Sequence, residues 1–139
     1  MAVAWDDVQR ILKQTKTIAV VGLSDKPDRD SYQIASYLQQ QGYRVIPVNP
    51  RVNEVLGEKA YPSLRDVPDP VDVVDIFRRS EDVPPIVEDA IAIGAKVVWM
   101  QAGIVNEEAA ARAEAAGLAV IMDACMRSAH RTLRASGRI

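Results

Sequence analysis

The sequence repeats one local pattern three times: a helical stretch is followed by a glycine and then by a short apolar strand. The glycines are Gly42, Gly94 and Gly117, and the strands after them are Val45–Val48, Val97–Met100 and Ala119–Met122. A glycine just past a helix adopts the left-handed conformation that ends the helix and turns the chain. The apolar runs are nearly continuous rather than alternating, which is typical of parallel strands covered by helices on both faces. The pattern therefore favours an α/β fold around a buried parallel sheet.

Two further apolar segments complete the predicted sheet, and amphipathic segments supply its crossovers. Thr17–Val21 and Val71–Phe77 bring the number of strands to five, and the intervening crossovers make their order parallel. The predicted helices are Trp5–Lys13, Ser31–Gln41, Pro84–Ile93 and Asn106–Ala116, with Asp30 or Ser31 capping the second and Asn106 capping the fourth. Arg51–Pro70 is rich in glycine and proline, which predicts a long, partly irregular crossover. The basic tail Arg127–Ile139 is compatible with either a helix or a frayed end.

Size and composition indicate one globular domain. The 139 residues are expected to form a single domain, residues 1–139, with a core that needs no crosslink. The net charge of -2, with both signs interspersed, argues against a nucleic-acid-binding face. No apolar run approaches the roughly 18 residues of a membrane span, and the start of the chain lacks the pattern of a signal peptide. The single cysteine, Cys125, excludes an internal disulfide and a cysteine-built zinc site. We expect a cytoplasmic protein.

The loop after the first strand has features of a phosphate-binding turn. It runs from Gly22 to Ser31 and leads into a helix whose amino end presents free amides and a partial positive charge. Gly22 lets the backbone approach a ligand closely, and Ser24, Lys26 and Ser31 add hydrogen-bond donors. One glycine stands where the dinucleotide-binding fingerprint has three. Taken alone, the loop is equally compatible with an ordinary turn carrying solvated charges.

The second strand ends in Asn49-Pro50-Arg51, at the point where a dinucleotide fold selects its ligand. An NAD-binding unit places Asp or Glu there, roughly 20 residues beyond the glycine loop, to hold the ribose hydroxyls. This sequence has a cation instead, and Glu54 comes too late to replace the carboxylate. Arg51 can make bidentate phosphate contacts, which suits a nucleotide with an extra phosphate such as NADP or coenzyme A. Taken alone, Arg51 is better explained as a surface arginine after a turn.

Two other strand ends bring useful groups to the same edge of the sheet. Phe77 is the only phenylalanine and precedes Arg78 and Arg79, so an apolar ring lies beside two guanidinium groups. This arrangement suits an adenine flanked by phosphates, although a core phenylalanine with solvated arginines explains it equally well. The fourth strand ends in Trp99-Met100-Gln101-Ala102-Gly103, where Gln101 can hydrogen-bond a ligand and Gly103 leaves room for one. Because ligands of open α/β sheets bind along this edge, we expect the groups to converge there.

The sequence contains few groups suited to catalysis. His130 is the only histidine, and its place in the basic tail predicts a surface residue. Cys125 follows the fifth strand and is either a reactive thiol or, the better-supported interpretation, a small buried hydrophobe. No Ser-His-Asp set, HExxH motif or carboxylate cluster is present. We therefore predict neither a catalytic residue nor a metal site.

Four ordered blocks of the sequence resemble the short stand-alone coenzyme A-binding proteins. The blocks are Ala19–Ser31, Val45–Pro50, Val73–Arg79 and Val98–Gly103, within a likeness that runs from about Trp5 to about Arg127. These proteins are similar in turn to the nucleotide-binding domain of the succinyl-CoA synthetase α subunit. The resemblance implies a Rossmann-like, three-layer α/β/α domain with a five-stranded parallel sheet that holds coenzyme A in an edge cleft.

The resemblance also implies roles for individual residues. The first loop, Gly22-Leu23-Ser24-Asp25-Lys26, would meet the pyrophosphate, and Asn49, Pro50 and Arg51 would line the nucleotide. Trp99, Met100 and Gln101 would form a lip at the end of the fourth strand. The segment after Cys125 departs from the family, whose members more often carry basic and acidic residues there, so the contribution of the tail is left open.

These features together predict a coenzyme A-binding protein that is not catalytic on its own, with coenzyme A or an acyl-CoA as its ligand. One alternative is a small NAD(P)-binding oxidoreductase, which would need a substrate site and a proton donor. Another is a partner subunit that supplies coenzyme A to a separate acyl-CoA synthetase-like chain. The sequence leaves open whether the protein is a homo-oligomer or pairs with such a chain.

Overall fold

The computed structural model describes residues 4–139; residues 1–3, which begin the segment considered for a signal peptide, lie outside the described residues. The helices are α1 (Trp5–Gln14), α2 (Asp30–Gln40), α3 (Val83–Ala92), α4 (Glu107–Ala115) and α5 (Met126–Ala135). The strands are β1 (Thr17–Val21), β2 (Arg44–Val48), β3 (Glu54–Val55), β4 (Glu58–Lys59), β5 (Val73–Ile76), β6 (Val97–Met100) and β7 (Ala119–Ile121).

Five of the strands form one parallel sheet in the order β2-β1-β5-β6-β7. The chain moves outward from β1 to β2 and then crosses back over β1 to reach β5. The strand order therefore reverses between β1 and β5, which leaves a crevice beyond their carboxyl ends. β3 and β4 form a separate two-stranded antiparallel hairpin within the β2–β5 crossover.

Helices cover both faces of the sheet, and each face has its own apolar core. On one side α1, α2 and α5 contribute buried residues such as Ile11, Leu38 and Leu133. On the other side α3 and α4 contribute small and branched residues such as Val87 and Ala113. The strands between them are buried on both faces, as their continuous apolar runs predict. The predicted three-layer α/β/α fold with a five-stranded parallel sheet is confirmed.

The predicted cap of α2 is wrong, whereas that of α4 is confirmed. The residue before α2 is Arg29, which makes no side-chain cap hydrogen bond, and the Ser31 hydroxyl accepts a hydrogen bond from the Ser24 amide instead. The serine oxygen stabilises the preceding loop because that loop folds back over the start of the helix. At α4, Asn106 Oδ1 accepts a hydrogen bond from the Ala109 amide.

The structure decides the state of the tail, which the sequence left open, and corrects the prediction for its histidine. The tail forms α5, and its end returns to α1, where Arg138 donates hydrogen bonds to Gln9 and Asp6. The prediction that His130 is a surface residue is wrong, because its side chain is 3% exposed and its Nδ1 lies 2.8 Å from the Tyr37 hydroxyl. Burial and the nearby Arg134 charge both lower the pKa of His130. The buried face of α5 consists of Met126, Ala129, His130 and Leu133, so the histidine lies in an otherwise apolar stripe.

Candidate functional site

A cleft of about 1360 Å³ lies at the carboxyl edge of the sheet, where the strand order reverses. Its walls come from the loops that follow β1, β2 and β5, from the start of α3 and from Ile104 in the loop after β6. Nine of the residues predicted to bind a ligand line it: Gly22, Ser24, Lys26, Ser31, Asn49, Pro50, Arg51, Phe77 and Arg78. The topology therefore brings three of the four predicted strand ends together around one cavity.

Gly22 forms the closest backbone approach at the base of the cleft. Its φ is +88°, and a Cβ atom at this position would lie 2.3 Å from the Phe77 carbonyl oxygen. The Gly22 amide donates to the Val48 carbonyl at 2.8 Å, and the Phe77 amide donates to the Val21 carbonyl at 2.9 Å. Only glycine combines this conformation with this contact. The ends of β1, β2 and β5 are thereby held against one another.

Side chains that were expected to face a ligand also shape the loops. The Ser24 hydroxyl accepts a hydrogen bond from the Lys26 amide at 3.1 Å. Asn49 Nδ2 donates to the Leu23 carbonyl at 3.0 Å, and Asn49 Oδ1 accepts from the Arg51 amide at 3.0 Å. Asn49 thus ties the end of β2 to the first loop and sets the direction of the chain at Arg51.

The cleft is rich in cations that lack carboxylate partners. Five basic and four acidic residues line it, but the acidic residues do not neutralise the basic ones pairwise. Arg79 is bound to Asp82, with Nε and Oδ2 3.0 Å apart. Within residues 4–139, the side chains of Lys26, Arg29, Arg51 and Arg78 form no ion pair. Four positive charges therefore remain free to bind an anionic ligand.

Several lining residues were not singled out from the sequence. Arg29 completes the set of cations, and Val52, Ile86 and Ile104 add apolar surface to the lining of the cleft. Ile86 lies in the first turns of α3, and helices that follow parallel strands begin at the carboxyl edge of the sheet. That topology is the signal that could have identified Ile86. Ile104 is next to Gly103 in sequence, so the loop was identified but its apolar member was not.

The expected lip at the end of β6 does not form. Trp99 and Met100 are completely buried, and the Trp99 indole N–H donates to the Ala124 carbonyl at 2.8 Å. Leu23 is also completely buried. β6 lies between β5 and β7 and is covered on both faces, so its side chains pack in the sheet core up to the last residue. Leu23, Trp99, Met100, Gln101 and Gly103 do not line the cleft.

A buried carboxyl group, not identified from the sequence, lies on β5 two residues before the cleft-lining Phe77. Asp75 is 0% exposed, and its Oδ1 accepts a hydrogen bond from Gln101 Nε2 at 2.6 Å. Within residues 4–139, its Oδ2 has no hydrogen-bond partner. Burial raises the pKa of Asp75 to about 7, and the hydrogen bond from Gln101 opposes that rise. The Gln101 side chain is therefore hydrogen-bonded to Asp75. The backbone carbonyl of Gln101 accepts a hydrogen bond from the amide of the cleft-lining Ile104.

Neither a metal cluster nor a membrane-spanning helix occurs in the part of the chain that the structure describes. No group of three or more His, Cys, Asp or Glu side chains there is arranged to hold a metal ion. No helix there is long and apolar enough to cross a bilayer. Cys125 is partly buried, precedes α5 and does not line the cleft.

Residues 16–131 match the family model described as the CoA binding domain. The chain belongs to this CoA-binding domain family. The match spans the cleft and every strand of the main sheet, so the resemblance of the four sequence blocks is confirmed.

Relatives of the chain fall into two groups, short proteins and long ligases. The uncharacterized protein YneT of Bacillus subtilis is 47% identical over 124 residues, covering 89% of this chain and 92% of YneT. A hypothetical protein from Pyrococcus horikoshii has a solved structure that matches with a TM-score of 0.92 and 44% identity, covering 96% of this chain and 94% of that one. The acetate–CoA ligase [ADP-forming] II of Archaeoglobus fulgidus is 32% identical over 107 residues, or 76% of this chain. The chain spans only 16% of the length of that ligase.

Proposed function

We propose that this CoA-binding domain protein binds coenzyme A or an acyl-CoA in the cleft between β1 and β5, and that it performs no chemistry on the ligand by itself. The observation that carries the proposal is the set of four cations, Lys26, Arg29, Arg51 and Arg78, that line the cleft around the Gly22 turn and have no ion-pair partner within residues 4–139. Coenzyme A carries a pyrophosphate and a 3′-phosphate, so its negative charge is concentrated on one half of the molecule. Guanidinium groups are well suited to such oxygens because they form paired hydrogen bonds with them.

The apolar part of the cleft supports the same assignment. Phe77 is partly exposed, and it lines the cleft together with Ile86 and Ile104. An adenine ring or a pantetheine arm would remove this surface from water, while the phosphates would stay beside the arginines. The cavity volume of about 1360 Å³ is ample for a nucleotide cofactor of this size.

Two observations separate this proposal from an NAD(P)-dependent oxidoreductase. β2 is followed by Asn49-Pro50-Arg51, so the position just after this strand lacks the carboxylate that accepts hydrogen bonds from the ribose hydroxyls in an NAD-binding unit. The His130 imidazole is buried against Tyr37 and does not line the cleft, so it is not positioned as a proton donor there. A cytoplasmic location also belongs to this proposal, since coenzyme A is an intracellular cofactor.

One observation favours a second candidate function, that of a coenzyme A-binding partner subunit. The Archaeoglobus fulgidus ligase contains a region similar to this chain within a much longer protein. We infer that a separate chain with the remaining ligase domains would supply the acyl or phosphoryl chemistry. Purification of the protein from its own cells at low salt, followed by native mass spectrometry, tests this candidate. A stoichiometric complex with a second, larger chain would support it, and a ligand-bound monomer or homo-oligomer would contradict it.

Thermal unfolding with a panel of ligands tests the principal proposal. A ligand that binds only the native state stabilises it by about 2.7 kcal/mol at a concentration of 100 times Kd. For a domain of this size, each kcal/mol of stabilisation raises the Tm by roughly 2–4 °C. We expect coenzyme A and acetyl-CoA to raise the Tm, and NAD at the same concentration to leave it unchanged. Equal increases with NAD and coenzyme A, or no increase with coenzyme A, would refute the proposal.

A further inference from the structure

A second, smaller groove of about 260 Å³ lies between α2 and α5. The residues that define this α2–α5 groove are Tyr32, Gln33, Ser36 and Tyr37 of α2 and Arg127 and Arg131 of α5. It borders the main cleft only through Pro27, which lies in the loop between the cleft-lining residues Lys26 and Asp28. The proposed coenzyme A site does not use it.

The α2–α5 groove is positively charged without compensation. Its two charged residues are both arginines, one helical turn apart on α5, and no carboxylate lines it. Within residues 4–139, neither Arg127 nor Arg131 takes part in an ion pair. The opposite wall consists of hydroxyl and amide groups, which hydrogen-bond to an anion without repelling it.

The Nε–H of Arg127 is the most informative atom in the α2–α5 groove. It is removed from solvent, and within residues 4–139 it has no hydrogen-bond partner. A buried donor on a charged group without an acceptor is destabilising, and native proteins rarely retain one without a reason. Arg127 also lines the groove, so a rotation of its guanidinium would turn this N–H toward an anionic oxygen bound there, which would supply the missing acceptor.

The second arginine is already held in place beside the groove. The Arg131 guanidinium carbon lies 5.0 Å from the centre of the Tyr37 ring, in a cation–π arrangement. The Tyr37 hydroxyl in turn lies 2.8 Å from His130 Nδ1, so the ring itself is fixed from within the core. On the α2 side, Gln33 Nε2 donates to the Pro27 carbonyl at 3.4 Å. Binding would therefore require little ordering of these side chains.

We propose that the α2–α5 groove is a second anion site that binds a phosphate group between Arg127 and Arg131. A tetrahedral phosphate presents enough oxygens for two guanidinium groups at once, whereas one carboxylate is satisfied by a single guanidinium fork. The groove is too small for a whole nucleotide cofactor. The phosphate is either free orthophosphate or the terminal group of a phosphomonoester.

Nuclear magnetic resonance of the full chain tests this site directly. The ¹⁵N-labelled protein is titrated with sodium phosphate and, separately, with glycerol phosphate, at constant pH and ionic strength balanced with sodium chloride. Each titration is run with and without saturating coenzyme A, so that anion binding in the main cleft is recognised by its own signals. We expect saturable shifts of the Arg127 Nε–H and of the amides of Tyr32–Tyr37 in both cases. The ligand with the lower Kd identifies free or esterified phosphate as the preferred form.

Substitutions on α5 provide the matched control. Arg127→Gln and Arg131→Gln each remove one charge from the groove and are expected to weaken phosphate binding about tenfold or more. Arg134→Gln removes the same charge from the same helix but outside the groove, and should change the Kd by less than about twofold. If one groove variant does not fold, the comparison of the other with Arg134→Gln is sufficient. Absence of a saturable shift at Arg127, or equal affinities in a folded groove variant and Arg134→Gln, would overturn the proposal. A failure of coenzyme A to bind would leave these shifts unaffected and would refute only the main-cleft assignment.

Discussion

At the scale of single residues, Arg51 carries the specificity of the proposed cleft. It is exposed just beyond β2, and its amide is fixed by Asn49 Oδ1 at 3.0 Å. If its guanidinium faces the 3′-phosphate, Arg51→Ala should weaken coenzyme A binding roughly tenfold to hundredfold, since a charge-assisted hydrogen bond contributes about 1.5–3 kcal/mol. Dephospho-coenzyme A, which lacks that phosphate, should bind both proteins nearly equally. Isothermal titration calorimetry with the two ligands measures the difference.

Arg112→Ala is the matched control for the loss of one positive charge. Arg112 lies on α4, where its guanidinium is paired with Glu88 of α3 and does not line the cleft. We expect this variant to bind both ligands as the unmodified protein does. An equal loss of affinity for coenzyme A and dephospho-coenzyme A in Arg51→Ala would place Arg51 at the pyrophosphate instead. No loss with either ligand would remove Arg51 from the site.

A second prediction for single residues concerns Gly22. A side chain there has two separate costs, the strain of a positive φ and the clash with Phe77, and a comparison with Gly42 distinguishes them. Gly22→Ala forces alanine to φ +88° and puts its Cβ 2.3 Å from the Phe77 carbonyl oxygen. Gly42→Ala imposes a similarly positive φ of +99°, but nothing lies within 4 Å of its Cβ. The left-handed conformation alone costs about 1–2 kcal/mol. We expect Gly42→Ala to lower the free energy of unfolding by about that amount.

Gly22→Ala should lower the free energy of unfolding further, since displacement of the Phe77 backbone adds about 1–3 kcal/mol of overpacking. It should also weaken coenzyme A binding, because Phe77 and Arg78 line the cleft. Urea denaturation of both variants gives the comparison. Equal destabilisation of the two would show that the close contact between Gly22 and Phe77 relaxes without cost.

At the scale of helices and strands, the sequence predicted best the elements that are marked by an apolar run or by a glycine at the end of a helix. The apolar runs and the glycines after the helices predicted all five strands of the main sheet within a few residues, because strands buried on both faces have few alternatives. The sequence left α5 open between a helix and a frayed end, although its inward face, Met126, Ala129, His130 and Leu133, is mostly apolar at helical spacing. The hairpin β3–β4 was too short to distinguish from an irregular crossover.

The candidate site could be predicted only as far as topology follows from the sequence. The loops after β1, β2 and β5 were identified because the carboxyl ends of parallel strands share one edge. The same reasoning placed Trp99 and Met100 at that edge, where the structure buries both. What was missing is the strand order, which puts β6 one position away from the crevice and therefore inside the sheet core. Strand order depends on long-range packing, which local sequence patterns do not contain.

Asp75, a buried carboxyl group within strand β5, predicts how the stability of the protein depends on pH. Because the pKa of Asp75 in the folded protein is about 7, Asp75 keeps its proton up to about that pH, whereas in the unfolded chain it loses the proton near its ordinary pKa of 3.8. Between these values the folded state binds more protons, so this residue makes stability fall as pH rises from about 4 to about 7. At about 1.4 kcal/mol per pKa unit, the full effect is on the order of 4 kcal/mol. Asp75→Asn keeps an acceptor for Gln101 but removes the ionisation.

We therefore expect Asp75→Asn to be nearly as stable as the unmodified protein at about pH 4, and increasingly more stable than it as the pH rises to about 8. Urea denaturation across this pH range measures the free energy of unfolding of both. Asp72→Asn is the control of opposite sign. Burial alone would raise the pKa of Asp72, but hydrogen bonds from the Thr17 and Lys16 amides and the charge of Lys96 lower it. That variant should be less stable at neutral pH. A stability difference for Asp75→Asn that does not change with pH would show that Asp75 does not titrate in this range.

At the scale of the whole molecule, both ends of the described chain are incorporated into one face of the sheet. α1 and α5 pack on the same apolar core as α2, and Arg138 near the end of the chain is bound to Gln9 of α1 at 3.0 Å. The sheet that separates the two cores runs without interruption from β2 to β7. Such an arrangement leaves no boundary across which one part of the molecule could unfold while the other stays intact.

We expect the protein to unfold as one cooperative domain, in agreement with the single domain predicted from the sequence. Far-UV circular dichroism follows the helices. Tryptophan fluorescence follows mainly Trp99, which is completely buried in the core that α1, α2 and α5 form with the sheet. Trp5→Phe removes the other, more exposed tryptophan and makes the fluorescence specific for Trp99. Both signals should give the same midpoint in urea, and a saturating ligand of the cleft should raise both midpoints equally because the cleft is built from the strands of the same sheet. Two separate midpoints, or a ligand-induced increase in only one of them, would show that the two sides of the sheet unfold independently.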